Sequence, residues 1–258
     1  MGAIVVPGRP VQVRDQAPPV TDPDPQTLAP VLIVSGTGTE VGKTVVTAAI
    51  AALAADRGIG VAVVKPAQTG EPPGPTGDLQ TVRRLSGVTR THELARFPHP
   101  LSPEAAARAA GRPPLDLAAA AVAIKELEAD LILIEGAGGL LVRYDPAGRT
   151  IADLAVMLGA PVLVVTTSEL GTLNHTALTL EALSIRGLKA AGVVIGAWPA
   201  EPGLAERANL TDLAVIAGRP LAGALPAGAA RLSRADFLAA ARSGLSPTFG
   251  GSFGVIAD

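Results

Sequence analysis

Lys43 and Thr44 close the run "SGTGTEVGKT", which stands between an apolar stretch and an alanine-rich one. A glycine followed by lysine and threonine has the residue types of a triphosphate site. Glycines let the backbone turn its amides inward, and the start of a following helix adds roughly half a positive charge. In such a loop the lysine reaches the β- and γ-phosphates and the hydroxyl ligates magnesium. The spacing is unusual, however. The pattern G-x-x-x-x-G-K-[ST] calls for a glycine at position 37, but Thr37 is there and Gly36 comes one residue early. The loop is one residue too long, yet its strand-to-helix setting predicts nucleoside triphosphate binding.

Other reactive types follow apolar runs. Lys65 ends "GVAVVK", with Thr69 four residues on, and Glu135 ends "LILIE". Beside a triphosphate a second lysine would neutralise charge developing during phosphoryl transfer, and a strand-end carboxylate would be a second metal ligand. Taken alone, Lys65 could be a solvated strand end and Glu135 the cap of a turn. Asp78 precedes a helical pattern and Asn174 another, where each could serve only as an N-cap. Glu40 could be a solvent-facing loop residue, and His175 stands alone. The "GAGG" after Glu135 fails as a dinucleotide fingerprint, because its sixth position is Leu141.

These residues need a scaffold that brings separate strand ends together. The runs "VLIV", "VAVVK", "LILIE", "PVLVVTT" and "AGVVIGA" are uniformly apolar, as strands buried on both faces of a parallel sheet should be. Helical stretches such as "TVVTAAIAALAADRG", "SPEAAARAAG", "LAAAAVAIKELEAD" and "TALTLEALSIRG" alternate with them. The predicted fold is α/β, a doubly wound, mostly parallel sheet of the P-loop type with helices on both faces. One domain is expected over residues 31–245, with a disordered proline-rich extension at 1–30 and a loop-like tail at 246–258. The core must be aliphatic, since aromatics make up 2% of the 258 residues. With no cysteine, disulfides, thiolate metal sites and cysteine nucleophiles are excluded. A formal charge of -2 without a basic block argues against nucleic acid or an anionic membrane as partner. Cytoplasmic placement is the expectation.

Together "GTGTEVGKT", "KPAQTG", Asp78, "EGAGGLL" and "LGTLNHTALT" resemble the dethiobiotin synthase family, ligases of biotin synthesis, over roughly residues 31 to 230. The longer loop is itself a feature of that family. The resemblance implies ATP and Mg2+, with 7,8-diaminopelargonic acid and carbon dioxide as substrates. It assigns Thr44, Asp78 and Glu135 to the metal and Lys65, Lys43 and Thr39 to the reacting groups. Glu40, Val41, Gly42, Lys43, Thr44 and Val45, with Asp78, Glu135, Gly136, Ala137 and Gly138, would surround the nucleotide. Thr69 would contact the substrate. Gly171, Thr172, Leu173 and Asn174 would hold its carboxylate from a neighbouring subunit, which implies a homodimer.

One departure concerns the base. Family members often place an Asn-Asp pair after the "GVV" strand, where this chain has Gly196, Ala197 and Trp198. Leu225, Pro226 and Ala227 would then line the base, and discrimination for ATP should be weak. A partitioning or division-site ATPase switch is the rival of the same fold. Such switches usually carry an additional lysine early in the loop, and Ser35 to Gly38 has none. A glutamine-dependent amidase would need a cysteine.

Overall fold

A computed structural model describes residues 30–74 and 76–254. The expected extension lies outside the described residues except for Pro30, as do the last four residues of the tail. In chain order, β1 (Val31–Gly36) leads through the long loop to α1 (Lys43–Asp56), and β2 (Val61–Lys65) to the short β3 (Gln68–Thr69). Then come α2 (Asp78–Ser86), β4 (Thr91–Glu93), β5 (Arg96–Phe97), α3 (Pro103–Ala109) and α4 (Leu117–Lys125). The second half runs β6 (Leu131–Gly139), α5 (Ile151–Leu158), β7 (Val162–Thr166), α6 (Thr172–Ile185) and β8 (Ala190–Trp198). It ends with α7 (Leu204–Ala217), β9 (Gly223–Pro226) and α8 (Arg234–Gly244).

The five apolar runs are the five inner strands of a seven-stranded sheet ordered β4-β2-β6-β1-β7-β8-β9. Its ladders are parallel throughout. Side chains alternate between two cores, as the period of a strand requires. Leu32, Val34, Val61 and Val63 face α1, α2 and α8, while Ile33, Ala62 and Val64 face the layer that contains α3, α4 and α5. Small alanines let α1 lie close on the sheet: Ala48, Ala49 and Ala51 are fully buried. The segment beyond Leu245, expected as a loop-like tail, is irregular but attached. Phe249 sits in the α1-side core, in a 3-10 turn over Pro247–Phe249.

The topology puts the site where β1 and β6 adjoin. The chain leaves β1 toward one face through α1 and leaves β6 toward the other through α5, which opens a crevice at their carboxyl ends. Register aligns Val34 with Glu135, then Gly36 with Gly139. Two steps on β1 therefore face four on β6, a bulge that re-aims the end of the strand.

Candidate active site

The loop is held at both ends. Gly36 has no room for a side chain, since a Cβ would lie 2.6 Å from Val41 Cγ2. The extra residue, Thr37, is still tied to the sheet, its amide donating to Val165 O at 2.9 Å. Glu40 is exposed and has φ 60, the only positive φ outside glycine among the described residues. Such a conformation is uncommon for a residue with a Cβ and is often found at functional loops. Gly42, at φ 95, is the N-cap of α1, and neither a capping side chain nor a first-turn acid competes for the helix start. The first amides of α1, from Lys43 to Val45, therefore point into the crevice without helical partners, ready for an anion.

Lys43 is buried and donates to Gly38 O at 2.7 Å. Burial, then repulsion from Lys65, lowers its pKa from 10.5 to about 8. A buried ammonium held by a single loop carbonyl is poised to exchange that partner for phosphate oxygens.

Lys65 is not a solvated strand end. It is 3% exposed, and its Nζ lies 2.5 Å from Asp78 Oδ2 and 2.9 Å from Glu135 Oε1. It also donates to Gly136 O at 3.2 Å. Burial alone would lower its pKa, but Glu135 and then Asp78 outweigh burial, so Lys65 stays protonated far above neutrality. Glu135 is no turn cap either, because its Oε1 also accepts from Thr44 Oγ1 at 2.8 Å. Burial raises the pKa of Glu135 despite the attraction of Lys65. For Asp78, whose side chain is 32% exposed, burial is overcome by Lys65 and the net shift is downward. Asp78 is not the N-cap of α2. Gly77 is, and Asp78 is the first helical residue, its amide donating to Gln68 Oε1 at 3.0 Å.

Thr44, Asp78 and Glu135 thus converge, with the Lys65 ammonium between the carboxylates. Their hard oxygens are of the type that magnesium takes. Glu135 Oε2 is buried with no hydrogen-bond partner among the described residues. An orphaned carboxylate oxygen is costly unless a cation or water meets it, so the donor set fits a divalent ion.

The turn after Glu135 is fixed from behind. Ala137 N donates to the hydroxyl of the fully buried Tyr144 at 2.7 Å, so this amide is not free for a phosphate. Gly138, at φ 67, carries the turn past Thr39, whose exposed side chain lies 3.7 Å from where a Gly138 Cβ would be. Gln68 and Tyr144 were not singled out from the sequence. Gln68 lies within the quoted "KPAQTG", but nothing in the spacing marks Tyr144.

At the far side of the crevice, α6 begins earlier than its apolar pattern implied. Gly171, at φ 98, is the N-cap, and Asn174 is an exposed residue of the first turn rather than the cap. The amide of the buried Thr172 donates to Glu169 O at 3.1 Å. Leu173 and Asn174 are then the first-turn amides open to an anion. Thr69, half-buried, ends β3.

The base region departs from expectation in two places. A Cβ on Gly196 would fall 2.0 Å from Val41 O and 2.9 Å from Gly42 Cα. Gly196 therefore supports the backbone of the phosphate loop and has no side of its own to offer a base. Leu225 is fully buried in the α1-side core, so its side chain cannot line the base, whereas Ala197, Pro226 and Ala227 are exposed.

A protein-family model described as "AAA domain" matches residues 31–230. The ATP-dependent dethiobiotin synthetase BioD of Parafrankia sp. (strain EAN1pec) is 64% identical over 225 residues, spanning 86% of this chain and 94% of that protein. The chain belongs to the ATP-dependent dethiobiotin synthetase family. The protein of the same name from Streptomyces coelicolor is 55% identical over 226 residues, 87% of this chain and 95% of that one. Among solved structures, the septum site-determining protein MinD complexed with Mg-ADP from Pyrococcus horikoshii OT3 aligns with a TM-score of 0.51. That alignment covers 81% of this chain and 85% of that one at 19% identity, which is a likeness of fold alone. Family membership thus accords with the resemblance carried by the five motifs, and the division-site likeness extends no further than the fold.

Proposed function

We propose that this chain is a dethiobiotin synthase. It closes the ureido ring of dethiobiotin from 7,8-diaminopelargonic acid and carbon dioxide, using ATP, within biotin synthesis. Membership of an ATP-dependent synthetase family supports this reading. The observation that carries it is the cluster of Lys65, Asp78, Glu135 and Thr44 beside a phosphate loop, in a chain without a cysteine nucleophile.

One substrate amine adds to carbon dioxide, forming a carbon–nitrogen bond and releasing a proton, to give a carbamate. A carbamate oxygen attacks the γ-phosphorus and ADP leaves. The second amine then attacks the carbonyl carbon of this mixed anhydride and gives up a proton, inorganic phosphate departs, and the ring is closed. Each step needs reactants held in line and negative charge neutralised where it moves, rather than a covalent enzyme intermediate. Lys43 and the first amides of α1 hold the phosphates. Lys65 lies where charge passes between carbamate and γ-phosphate, and Thr39 and Glu40 flank the reacting groups. Thr44, Asp78 and Glu135 would hold magnesium, which supplies charge neutralisation on the phosphates.

The homodimer belongs to the same reading. Leu178 and Ile185 leave apolar surface exposed on α6, and Leu170, 91% exposed, precedes it. A partner covering this face would bring its substrate to Gly171–Asn174, with Thr69 contacting the same substrate from the other chain. The test is purified protein with diaminopelargonic acid, bicarbonate, magnesium and ATP, with the product identified by mass. A ureido product that forms only with ATP present is expected. Intact triphosphate binding without that product would overturn the reading.

A further inference from the structure

Thr166 ends β7, and its fully buried hydroxyl has three hydroxyl neighbours: Thr172 at 2.7 Å, Thr176 at 2.9 Å and Thr37 at 3.3 Å. A threonine hydroxyl carries one proton and two lone pairs, which fixes the directions. Thr172 Oγ1 donates to Thr167 O at 2.8 Å, so its own proton is committed. Thr166 must therefore donate to Thr172 and accept from both Thr176 and Thr37. Its capacity is then full.

The ends of this chain of bonds matter. Thr37 is the residue that makes the phosphate loop one longer than usual. Thr172 and Thr176 stand at the beginning of α6, on either side of the open amides of Leu173 and Asn174. From behind, Asn209 of α7, 5% exposed, donates to Ser168 O at 2.8 Å and Glu169 O at 3.1 Å. The segment leading into α6 is pinned on one side by Asn209, and on the other its side-chain link to the phosphate loop runs through the Thr166 hydroxyl, next to the backbone bond from Thr37 N to Val165 O.

We propose that Thr166 is a positioning residue that couples the phosphate loop to the start of α6, so that triphosphate in the loop orders the amides facing the substrate's carboxylate. That the ligand of those amides is a carboxylate rests on the dethiobiotin synthase reading; the coupling itself does not. The link is a physical two-ended contact rather than mere proximity, which is what a claim of coupling needs.

Hydrogen exchange over residues 167–176 tests it, with and without a non-hydrolysable ATP analogue and magnesium. In the wild type and in Thr166→Ser, which keeps the hydroxyl, the analogue should slow exchange by about fivefold, the low end of ordinary site-to-site coupling. In Thr166→Val the effect should vanish, while affinity for the analogue stays within about threefold and the KM for diaminopelargonic acid rises about tenfold. Thr37→Val removes only the loop-side bond at a half-buried position, so it should abolish transmission even if Thr166→Val folds poorly. Slowing that persists in either valine variant, or that is absent from the wild type, overturns the proposal. Slowing that follows the expected pattern in a protein making no ureido product would uphold the coupling and overturn the proposed function.

Discussion

Replacing Lys65 with glutamine removes one cation and strands two carboxylates. Breaking a buried ion pair from one side generally costs about 3–5 kcal/mol, mostly through the charge left behind. Here the two carboxylates differ. Asp78, 32% exposed, can recover part of its solvation from water, whereas Glu135 is 1% exposed and cannot. The lower end, about 3 kcal/mol, is therefore the better figure, or roughly 6–12 °C of melting temperature for a domain of this size. The deficit should depend on pH. Burial already raises the pKa of Glu135, and without Lys65 that rise grows. A raised carboxyl pKa means that the folded state binds the extra proton, so stability falls as pH climbs through the window between unfolded and folded pKa values. The melting deficit of Lys65→Gln should thus be largest near pH 8 and shrink toward pH 5. Magnesium should recover more of it than it adds to the wild type. Turnover should drop by about 10²–10³-fold, while triphosphate affinity changes by less than about tenfold, because Lys43 and the loop amides remain. Calorimetric scans from pH 5 to 8 with and without magnesium, then single-turnover assays, would measure all of this. A variant melting within about 2 °C of wild type at pH 8, indifferent to magnesium and pH, would refute the account of the cluster.

Gly196→Ala puts a Cβ into the backbone of the phosphate loop, which cannot yield as a side chain would. Thermal denaturation should show a loss of about 1–3 kcal/mol, and titration should show triphosphate binding weakened by at least about tenfold. Because burial holds the Lys43 pKa at about 8, triphosphate affinity should be flat below that pH and fall above it, with proton uptake on binding visible in calorimetry. The same lowered pKa should make the unliganded fold gain stability as pH rises from about 8 toward 10.5. Since Gly196 and the buried Leu225 offer no side-chain reader, CTP and GTP should support turnover within roughly one or two orders of magnitude of ATP in competition assays.

The inner strands were legible because parallel strands buried on both faces are written as unbroken aliphatic runs. Helix α7 was missed: its polar Glu206, Arg207, Thr211 and Asp212 and its exposed Leu204 and Val215 blur the periodicity. β4 and β5 were too short to show a pattern. At the site, chemical type and strand-end position pointed to Thr44, Lys65 and Glu135, residues up to 91 positions apart, whereas Asp78 was joined to them only by the family resemblance. Sequence spacing could not reveal that Lys65 lies between the two acids, since that depends on the lateral order of β2, β6 and β1. Thr166 was invisible for a related reason. A threonine in an apolar strand reads as a β-former, and only tertiary packing surrounds it with three hydroxyls. The N-cap alternative for Asn174 arose from placing the start of α6 by its apolar residues, whereas Gly171 is the N-cap, four residues after Thr167.

The nearly aliphatic interior has a practical outcome. The chain holds one tryptophan and one tyrosine. Trp198 ends β8, two residues after the glycine that supports the phosphate loop, and its carbonyl accepts from Ala227 N at 2.7 Å. Tyr144 lies buried beneath the turn that follows Glu135. The two strongest near-ultraviolet chromophores therefore both pack against the core on the α3–α5 side, one at the end of the strand that bears Gly196 and the other under the turn after Glu135. Tryptophan emission should follow the strand end beyond Gly196, and tyrosine absorbance the turn after Glu135, in an unlabelled and unmutated protein.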